Sequence, residues 1–248
     1  MTKKSLIVCV LSVLFIAGFI GISNQYLYAD QKKTVEEYVK LAGDYIKNNP
    51  ELLSKSIDAV NNKVNYEDVI TKVDLLPLSI GEFEFRKGLS KAAGVEDAND
   101  KSIFNTLVEE KLIISYAIKN NVLPSKSEID SFVESEQLLY EKVDKNKKII
   151  NDFCVAANMS VEDYWKTYEY YNAYRIVTLN KAYDNAIETG VKKGEVKALE
   201  SSKNDLNLEE HENYWNRIKK EMKNSISLNI NKQYKNKDFI LDNTKLYL

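Results

Sequence analysis

The residues best suited to binding chemistry are aromatic, and they are concentrated on one predicted helix. Between positions 164 and 174 the chain carries six of them, which are Tyr164, Trp165, Tyr168, Tyr170, Tyr171 and Tyr174. Tyr and Trp offer a large, stiff contact area with a polar end, which suits a surface that binds varied peptides. Because successive residues rotate by about 100° around an α-helix, six aromatic side chains at this spacing cannot all face one core. We expect most of them to pack against a central helix and at least one or two to line a groove.

Residue types that support catalysis or metal binding occur without the partners that such chemistry needs. Cys154 has no histidine near it in sequence to activate a thiolate, so we predict a small buried side chain. His211, the single histidine, stands among glutamates on a charged helical turn, which favours solvated surface over a metal site. The adjacent pairs Glu36-Glu37 and Glu109-Glu110 diverge on a helix, so capping or solvation is expected for them. The sequence therefore predicts no enzyme activity, no cofactor and no metal site.

The composition is nearly charge-balanced and poor in turn-forming residues. The 248 residues include 35 basic and 37 acidic side chains, which leaves a formal net charge of −2. Such a surface gives no long-range field for capturing nucleic acid, so no nucleic-acid partner is expected. The presence of only 8 glycines and 3 prolines favours long helices. One of the two cysteines, Cys9, lies in the N-terminal apolar run, so we expect no internal disulfide in the folded part.

The N-terminus has the pattern of an export segment. Two lysines precede a run of 17 uncharged residues, positions 6–22, and the next charge is Asp30. A short basic head before an apolar run is typical of a signal peptide or a signal anchor. Ala29 offers the end of a cleavage site, but Leu27 is large where a small residue is preferred, and the run is slightly short for a full membrane span. Residues 1–29 are therefore predicted to be either a cleaved signal peptide or a retained signal anchor.

The rest of the chain predicts a series of capped helices. Thr34-Val35-Glu36-Glu37 is a capping box that opens a helix to about Lys47, and Pro50 starts a second helix to about Asn61. These two helices make up a predicted N-terminal region, residues 30–64. Three serines followed by an acidic residue three positions later mark further helix starts, at Ser79, Ser125 and Ser160.

The later helices differ in how much of their surface is apolar. Residues 100–120 are apolar over more than one stripe, so this helix should be central to the core. The helix that opens at Ser160 should run to about Glu188 and carry the aromatic residues. Residues 190–206 are polar and are predicted to form a solvated connection, after which residues 208–224 regain a helical pattern.

Two short segments alternate apolar and polar residues and predict strands. The first is residues 69–75, which Pro77 is expected to end, and the second is residues 226–231. Because a lone strand leaves its backbone groups unpaired, we predict that these two segments pair with each other. The predicted fold is mainly α, a multi-helix domain with a small two-stranded β element that joins its N-terminal and C-terminal segments.

Several segments occur in an order that resembles a known family. They are Ser79-Ile80-Gly81-Glu82-Phe83 after a strand, residues 106–113, residues 117–125 leading into Glu128-Ile129, and residues 158–165. In their apolar spacings and helix caps they resemble the N-terminal chaperone domain of SurA and PrsA-type extracytoplasmic folding factors. The resemblance covers residues 69–187 together with the closing helix and strand. It implies a SurA-N-like helical peptide-binding domain over residues 65–248.

The resemblance stops at the catalytic domain of that family. A parvulin prolyl-isomerase domain is commonly inserted between the long helix and the closing helix, whereas residues 190–208 are too few for a domain with its own core. The parvulin pattern also needs histidines and glycine-rich turns, and this chain has one histidine and no Gly-Gly pair. Isomerase activity is therefore not implied.

The resemblance implies an extracytoplasmic, membrane-associated chaperone that binds unfolded or partly folded secreted polypeptides through an apolar helical groove. The alternative is a membrane-tethered interaction module dedicated to one fixed protein partner. In either case the expected location is outside the cytoplasm of a Gram-positive bacterium, secreted or anchored to the cytoplasmic membrane through the N-terminal segment. The side chains expected to contact the peptide are Tyr164, Trp165, Tyr168, Tyr171, Phe83 and Phe85.

Overall fold

A computed structural model describes residues 34–61, 63–95, 97–198 and 204–248, with the backbone alone described at 204–207. Helices dominate it, and they are joined by one small two-stranded antiparallel sheet, as the sequence predicts. Within these ranges none of the helices combines the length and the apolar character that a bilayer crossing requires. The predicted export segment, residues 1–29, lies outside the described residues.

The elements follow one another with short connections. The helices are α1 (Val35–Asn48), α2 (Pro50–Val60), α3 (Ile80–Ala92), α4 (Asp100–Lys119), α5 (Lys126–Lys142), α6 (Asp144–Ala157), α7 (Val161–Asp163), a π-helical segment (Tyr164–Glu169), α8 (Tyr170–Lys193) and α9 (Asn204–Asn224). The strands are β1 (Val69–Val73) and β2 (Leu76–Ser79), and short 3₁₀ turns cover Tyr66–Asp68 and Lys232–Tyr234.

The predicted helix starts are confirmed by their caps. Thr34 and Ser125 each form a full capping box, in which the hydroxyl and the acidic side chain three residues later satisfy opposite backbone donors. The Ser79 hydroxyl accepts from the Glu82 backbone N–H at 3.1 Å, and the Ser160 hydroxyl accepts from that of Asp163 at 3.0 Å. These local hydrogen bonds fix where α3, α5 and α7 begin.

The partner of β1 differs from the prediction. Instead of pairing with residues 226–231, β1 pairs with β2 across the two-residue turn Asp74-Leu75, with Val73 opposite Leu76. The hairpin has the advantage because it closes a very short loop, whereas the predicted pairing would join segments that are far apart in sequence. Pro77 lies inside β2 and does not end a strand, which is tolerated because a two-stranded sheet consists of edge strands.

The C-terminal segment at residues 226–231 still lies against β1, although it is not a strand. The Asn231 backbone N–H donates to the Ile70 carbonyl at 2.8 Å, and the Thr71 hydroxyl donates to the Asn229 carbonyl at 3.1 Å. Ile226, Leu228 and Ile230 pack on the cluster that contains the hairpin. The two regions therefore lie together through side-chain packing and isolated hydrogen bonds, and not through the strand pairing that the sequence predicts.

Two large apolar clusters form the core. One lies among α1, α2, α3, α5, α6 and the π-helical segment, and the other lies among the hairpin, α3 and α4. Helix α4 is central, as predicted, with 14 of its 20 residues buried. Helix α1 packs closely on α6, because Gly43 allows its backbone to approach Ala156 and Ala157.

The connection before the last helix is shorter than predicted. Helix α8 continues through the buried Gly190 to Lys193, and α9 already begins at Asn204. Gly190 stays helical because it lies directly against Tyr214 of α9, where a Cβ would come within 2.6 Å of the ring. Val196, in the connection, is also buried against Tyr214. Part of the predicted solvated connection therefore belongs to the packed structure.

Candidate functional site

The six side chains predicted to contact a peptide are all buried. Their exposed fractions range from 0% to 7%, for Phe83, Phe85, Tyr164, Trp165, Tyr168 and Tyr171. Phe83 packs edge-on against Phe239, with 4.8 Å between ring centroids. Apart from Tyr171, which also lines the groove described below, these residues stabilise the core and do not form a binding surface. Their burial is favourable because it removes apolar surface from water.

Three neighbouring aromatic side chains of the π-helical segment reach one core. A π-helical turn hydrogen-bonds from i to i+5 and is wider than an α-helical turn, so the 100° spacing of a regular helix does not apply to it. Tyr164 and Tyr168 stack with 5.8 Å between ring centroids, and Trp165 packs edge-on against Tyr164 at 4.9 Å. Phe153 of α6 contacts both tyrosines. Tyr164, Trp165 and Tyr168 therefore all pack in the same core cluster.

An open groove of about 320 Å³ lies where α2 meets the start of α8. The α2 wall consists of Ile57, Val60 and Asn61. The opposite wall, from the π-helical segment and the first turn of α8, consists of Lys166, Thr167, Tyr170, Tyr171 and Tyr174. We call this the tyrosine groove. It combines aliphatic side chains, aromatic rings and several hydrogen-bond donors at one surface.

The groove is lined by some of the predicted aromatic residues but not by most of those assigned to binding. Tyr170, Tyr171 and Tyr174 belong to the aromatic set, for which we expect at least one or two residues to line a groove. Tyr170 and Tyr174 are four residues apart and share one helix face. The contribution of Ile57 and Val60 was missed. Ile57 and Val60 are three residues apart near the end of a short helix, so they share one helix face. This spacing is the local signal in the sequence that could have placed them on the same wall.

The floor of the groove is held by polar contacts behind Tyr171. The Tyr171 hydroxyl and the Ser56 hydroxyl are 2.8 Å apart, which links α8 to α2. The guanidinium carbon of Arg175 lies 5.7 Å from the centroid of the Tyr171 ring, a cation–π distance. Arg175 in turn donates from Nε to Oε1 of Glu110 at 2.6 Å. The floor is therefore connected to the central helix α4.

A buried charge cluster surrounds Glu110. It consists of Glu82, Arg86, Glu110, Lys111 and Arg175, all with exposed fractions of 5% or less. Arg86 donates from Nη2 to Oε2 of Glu110 at 3.3 Å, and the Lys111 ammonium lies 2.9 Å from Oε1 of Glu82. Burial opposes ionisation of Glu110, but Arg175 and Arg86 outweigh it and hold its pKa well below the usual range. Among these described residues three cations face two carboxylates.

The same network corrects the expectation that capping or solvation accounts for Glu109-Glu110. Both side chains are buried, at 2% and 1% exposure. They diverge as predicted, and Glu109 Oε1 accepts from the Lys223 ammonium at 2.5 Å while Glu110 binds the arginines. Glu109 Oε2 also accepts from the backbone N–H groups of Tyr247 and Leu248, at 2.7 and 2.8 Å. Buried partners, not water, therefore satisfy these carboxylates.

A second buried carboxylate lies in the π-helical segment. Glu169 is 1% exposed and accepts a hydrogen bond from the Tyr164 hydroxyl at 3.1 Å. Burial, with a smaller contribution from the nearby Glu136 of α5, raises the pKa of Glu169 to about 8. At neutral pH this side chain is therefore mostly protonated. It does not line the tyrosine groove.

The other residues considered for chemistry have structural positions. Cys154 is buried as predicted, and burial raises the pKa of its thiol to about 11, which disfavours a nucleophilic thiolate. His211 is not solvated as expected but 2% exposed, because its Nε2 lies 2.7 Å from the Lys197 carbonyl in the connection that folds over α9. Among the described residues there is no group of three or more His, Cys, Asp or Glu arranged to hold a metal ion.

Comparison with known proteins gives no match, whether to a protein-family model, to a curated protein sequence or to a solved structure. The resemblance to SurA and PrsA-type proteins therefore stays a prediction from the sequence. The tyrosine groove is the feature on which a function can be argued.

Proposed function

We propose that this protein is an extracytoplasmic, membrane-associated, chaperone-like protein that binds unfolded or partly folded secreted polypeptides in the tyrosine groove. It acts without prolyl-isomerase activity. The observation that carries the proposal is the groove itself, an open concavity of about 320 Å³ with aliphatic side chains on one wall and tyrosines on the other. Pockets of this kind, apolar with a few polar groups, are the usual binding sites of proteins.

The lining of the groove suits side-chain-tolerant binding. An apolar cavity of about 150 Å³ accepts a benzene ring, so the groove has room for roughly two side chains of a bound segment. Half-buried Ile57, Val60, Tyr170 and Tyr174 present apolar area without demanding one shape. Tyrosine hydroxyls keep the site wet at its edge. Each contact is weak, so a client is released without nucleotide hydrolysis.

The groove is preformed, which favours binding. Its two walls are joined behind the surface by the hydroxyl–hydroxyl contact between Ser56 and Tyr171 at 2.8 Å. Arg175, under Tyr171, is fixed by Glu110. Because these buried contacts order the walls in advance, a bound segment does not have to bring them together.

The size of the groove favours the second candidate function, a module dedicated to one fixed protein partner. A site with room for roughly two side chains covers only a short part of an unfolded chain. One anchor residue of a folded partner would fill it in the same way that hot-spot side chains fill pockets at interfaces. Both functions use the same residues, and they differ in the range of partners.

The test is suppression of aggregation by the purified full-length chain, measured by light scattering with several unrelated unfolding proteins. We expect broad suppression, and we expect Tyr170→Ala to weaken it about fivefold or more because an aromatic wall of the site is lost. Tyr66→Ala is the matched control, since Tyr66 is 86% exposed and lies outside the groove.

Two results would contradict the chaperone proposal. One is an absence of suppression for every client, together with recovery of a single partner in a pull-down, which supports the dedicated module. The other is equal suppression by the wild type and by Tyr170→Ala, which places any binding elsewhere on the molecule.

A further inference from the structure

We propose that the tyrosine groove selects segments in which an apolar or aromatic side chain stands next to an aspartate or glutamate. This inference rests on the proposed function, because it names the class of segment that the same groove binds. It is carried by charge complementarity between the groove and such a segment.

Among the described residues that line the groove there are a cation and several donors but no carboxylate. Lys166 is the charged residue among the lining side chains that the structure describes. Asn61, Thr167 and the tyrosines add an amide and hydroxyl groups, all of which are able to donate hydrogen bonds. A carboxylate accepts bonds from each of these groups, whereas an ammonium group from a ligand would face another ammonium. The lining therefore matches an acidic segment and opposes a basic one.

The cation at the groove can change its partner at little cost. The Lys166 ammonium pairs with Glu162 four residues earlier, and the two side chains are 70% and 72% exposed. Ion pairs between such exposed side chains contribute little because water screens them. A ligand carboxylate placed between Lys166 and the groove wall, where water is partly excluded, competes well with Glu162.

The floor of the groove adds a second source of positive potential. The buried charge cluster behind Tyr171 contains the cations Arg86, Lys111 and Arg175 with Glu82 and Glu110, and Arg175 is the cation in contact with the Tyr171 ring. A charge surrounded by protein is screened less than one at the surface. The Arg175 guanidinium is close to the groove, because its carbon lies 5.7 Å from the centroid of the Tyr171 ring, which lines the groove.

The two walls of the groove contact different side chains of a bound segment. The aliphatic wall, Ile57 and Val60, contacts the apolar side chain. The opposite wall offers Lys166 and the Thr167 hydroxyl to the neighbouring carboxylate. Such a division gives orientation as well as affinity, because a segment bound in reverse would place its carboxylate against Ile57 and Val60.

The experiment measures binding of three labelled peptides to the full-length chain by fluorescence anisotropy. The peptides share one apolar sequence and differ at a single position, which is Glu, Gln or Lys. At low ionic strength we expect the Glu peptide to bind about three- to tenfold more tightly than the Gln peptide, and the Lys peptide to bind most weakly. Added salt should reduce the difference between the Glu and Gln peptides.

Two variants test the assignment of the charge. Lys166→Gln should lower the ratio of affinities for the Glu and Gln peptides to about twofold, since the buried cluster remains. Lys148→Gln is the matched control, because Lys148 is 62% exposed, forms the same kind of pair with Asp152 on α6 and does not line the groove. That control should leave the ratio unchanged.

The outcomes separate this inference from the proposed function. Equal affinity for the Glu and Gln peptides, with binding still weakened by Tyr170→Ala, overturns the acidic preference and leaves the peptide-binding function in place. A ratio that Lys166→Gln does not change also overturns the inference. Absence of binding for all three peptides overturns the inference and the proposed function together.

Discussion

Glu169 is a buried side chain whose charge state changes close to neutral pH. Its pKa is raised to about 8 by burial and by Glu136, while the ordinary value in an unfolded chain is about 4.5. The groups that face it in the described residues are Glu136 from α5, Tyr164 from its own segment and Asn172 from α8. None of them is a cation, so the folded state favours the protonated carboxyl group.

This shift predicts how stability depends on pH. Between about pH 4.5 and pH 8 the unfolded chain has released the Glu169 proton and the folded chain still holds it, so the free energy of unfolding falls as pH rises. Glu169→Gln removes this contribution and should be the more stable protein at pH 8, by up to about 4 kcal/mol, and similar to the wild type at pH 4.5. Urea unfolding of both proteins across this pH range gives the difference.

The result that would contradict the Glu169 prediction is a difference between the two proteins that does not change with pH. Glu110 supplies an internal comparison of the opposite sign, because its pKa is lowered by Arg175 and Arg86 despite its burial. Its contribution to stability is present above the ordinary pKa and is lost as pH falls below it. The two buried carboxylates therefore destabilise the fold at opposite ends of the pH range.

At the scale of single residues, the sequence predicts only some of the side chains that line the groove. The sequence predicts a peptide contact for Tyr171 but not for Tyr170 or Tyr174, and all three line the groove. Residue type predicts that a tyrosine is suited to a wet binding surface. Which tyrosine faces the surface depends on which elements pack against each side of the helix, and residue type alone does not reveal those contacts.

At the scale of elements, local determinants were predicted well and distant ones were not. The starts of α1, α3 and α5 follow from caps that involve residues three positions apart, so the sequence contains the whole cause. The partner of β1 and the end of α8 depend on contacts between distant segments, such as Gly190 with Tyr214. Alternation identified β1 but could not choose between β2 and residues 226–231.

The contact between α1 and α6 gives a prediction at this scale. A Cβ at Gly43 would lie 2.6 Å from the Ala156 Cβ and 2.9 Å from the Phe153 carbonyl oxygen, so Gly43→Ala must push the helices apart. We expect the free energy of unfolding to fall by about 1–3 kcal/mol. Alanine is intrinsically better than glycine in a helix by about 1 kcal/mol, so an increase in stability would show that the helices adapt freely.

The matched variant for Gly43→Ala is the double substitution with Ala156→Gly. It removes the nearest atom on α6 and should restore part of the lost stability, while the contacts with the α6 backbone remain. Thermal unfolding followed by circular dichroism compares the two variants with the wild type. A double variant that is less stable than either single one would contradict the steric explanation.

At the scale of the whole molecule, α4 joins the two main clusters through consecutive charged residues. Glu109 binds Lys223 of α9 and the backbone at residues 247–248, Glu110 binds Arg86 and Arg175, and Lys111 binds Glu82. The partners are spread along the chain from position 82 to position 248. Charge runs on helices are usually solvated, so burial of this one could not be read from the sequence.

Loss of the central carboxylate should therefore weaken the whole fold. Glu110→Ala leaves two buried arginines without their shared partner, and we expect the free energy of unfolding to fall by about 3–5 kcal/mol. The control is Glu162→Ala on the surface, whose exposed pair with Lys166 should make no measurable difference. Chemical denaturation measures both, and comparable effects of the two substitutions would contradict the role of the buried cluster.

The hydrogen-bond register of the π-helical segment determines which side chains line one wall of the groove. Tyr164 and Trp165 are the first two residues of this segment and Tyr170, Tyr171 and Tyr174 follow it, so its turn sets the rotation of the second group relative to the first. A substitution on this wall changes one side chain and leaves the directions of the others unchanged. Deletion of one residue from the segment would instead rotate every later tyrosine towards a different neighbour. The number of residues in this segment should therefore be more constrained than their identity.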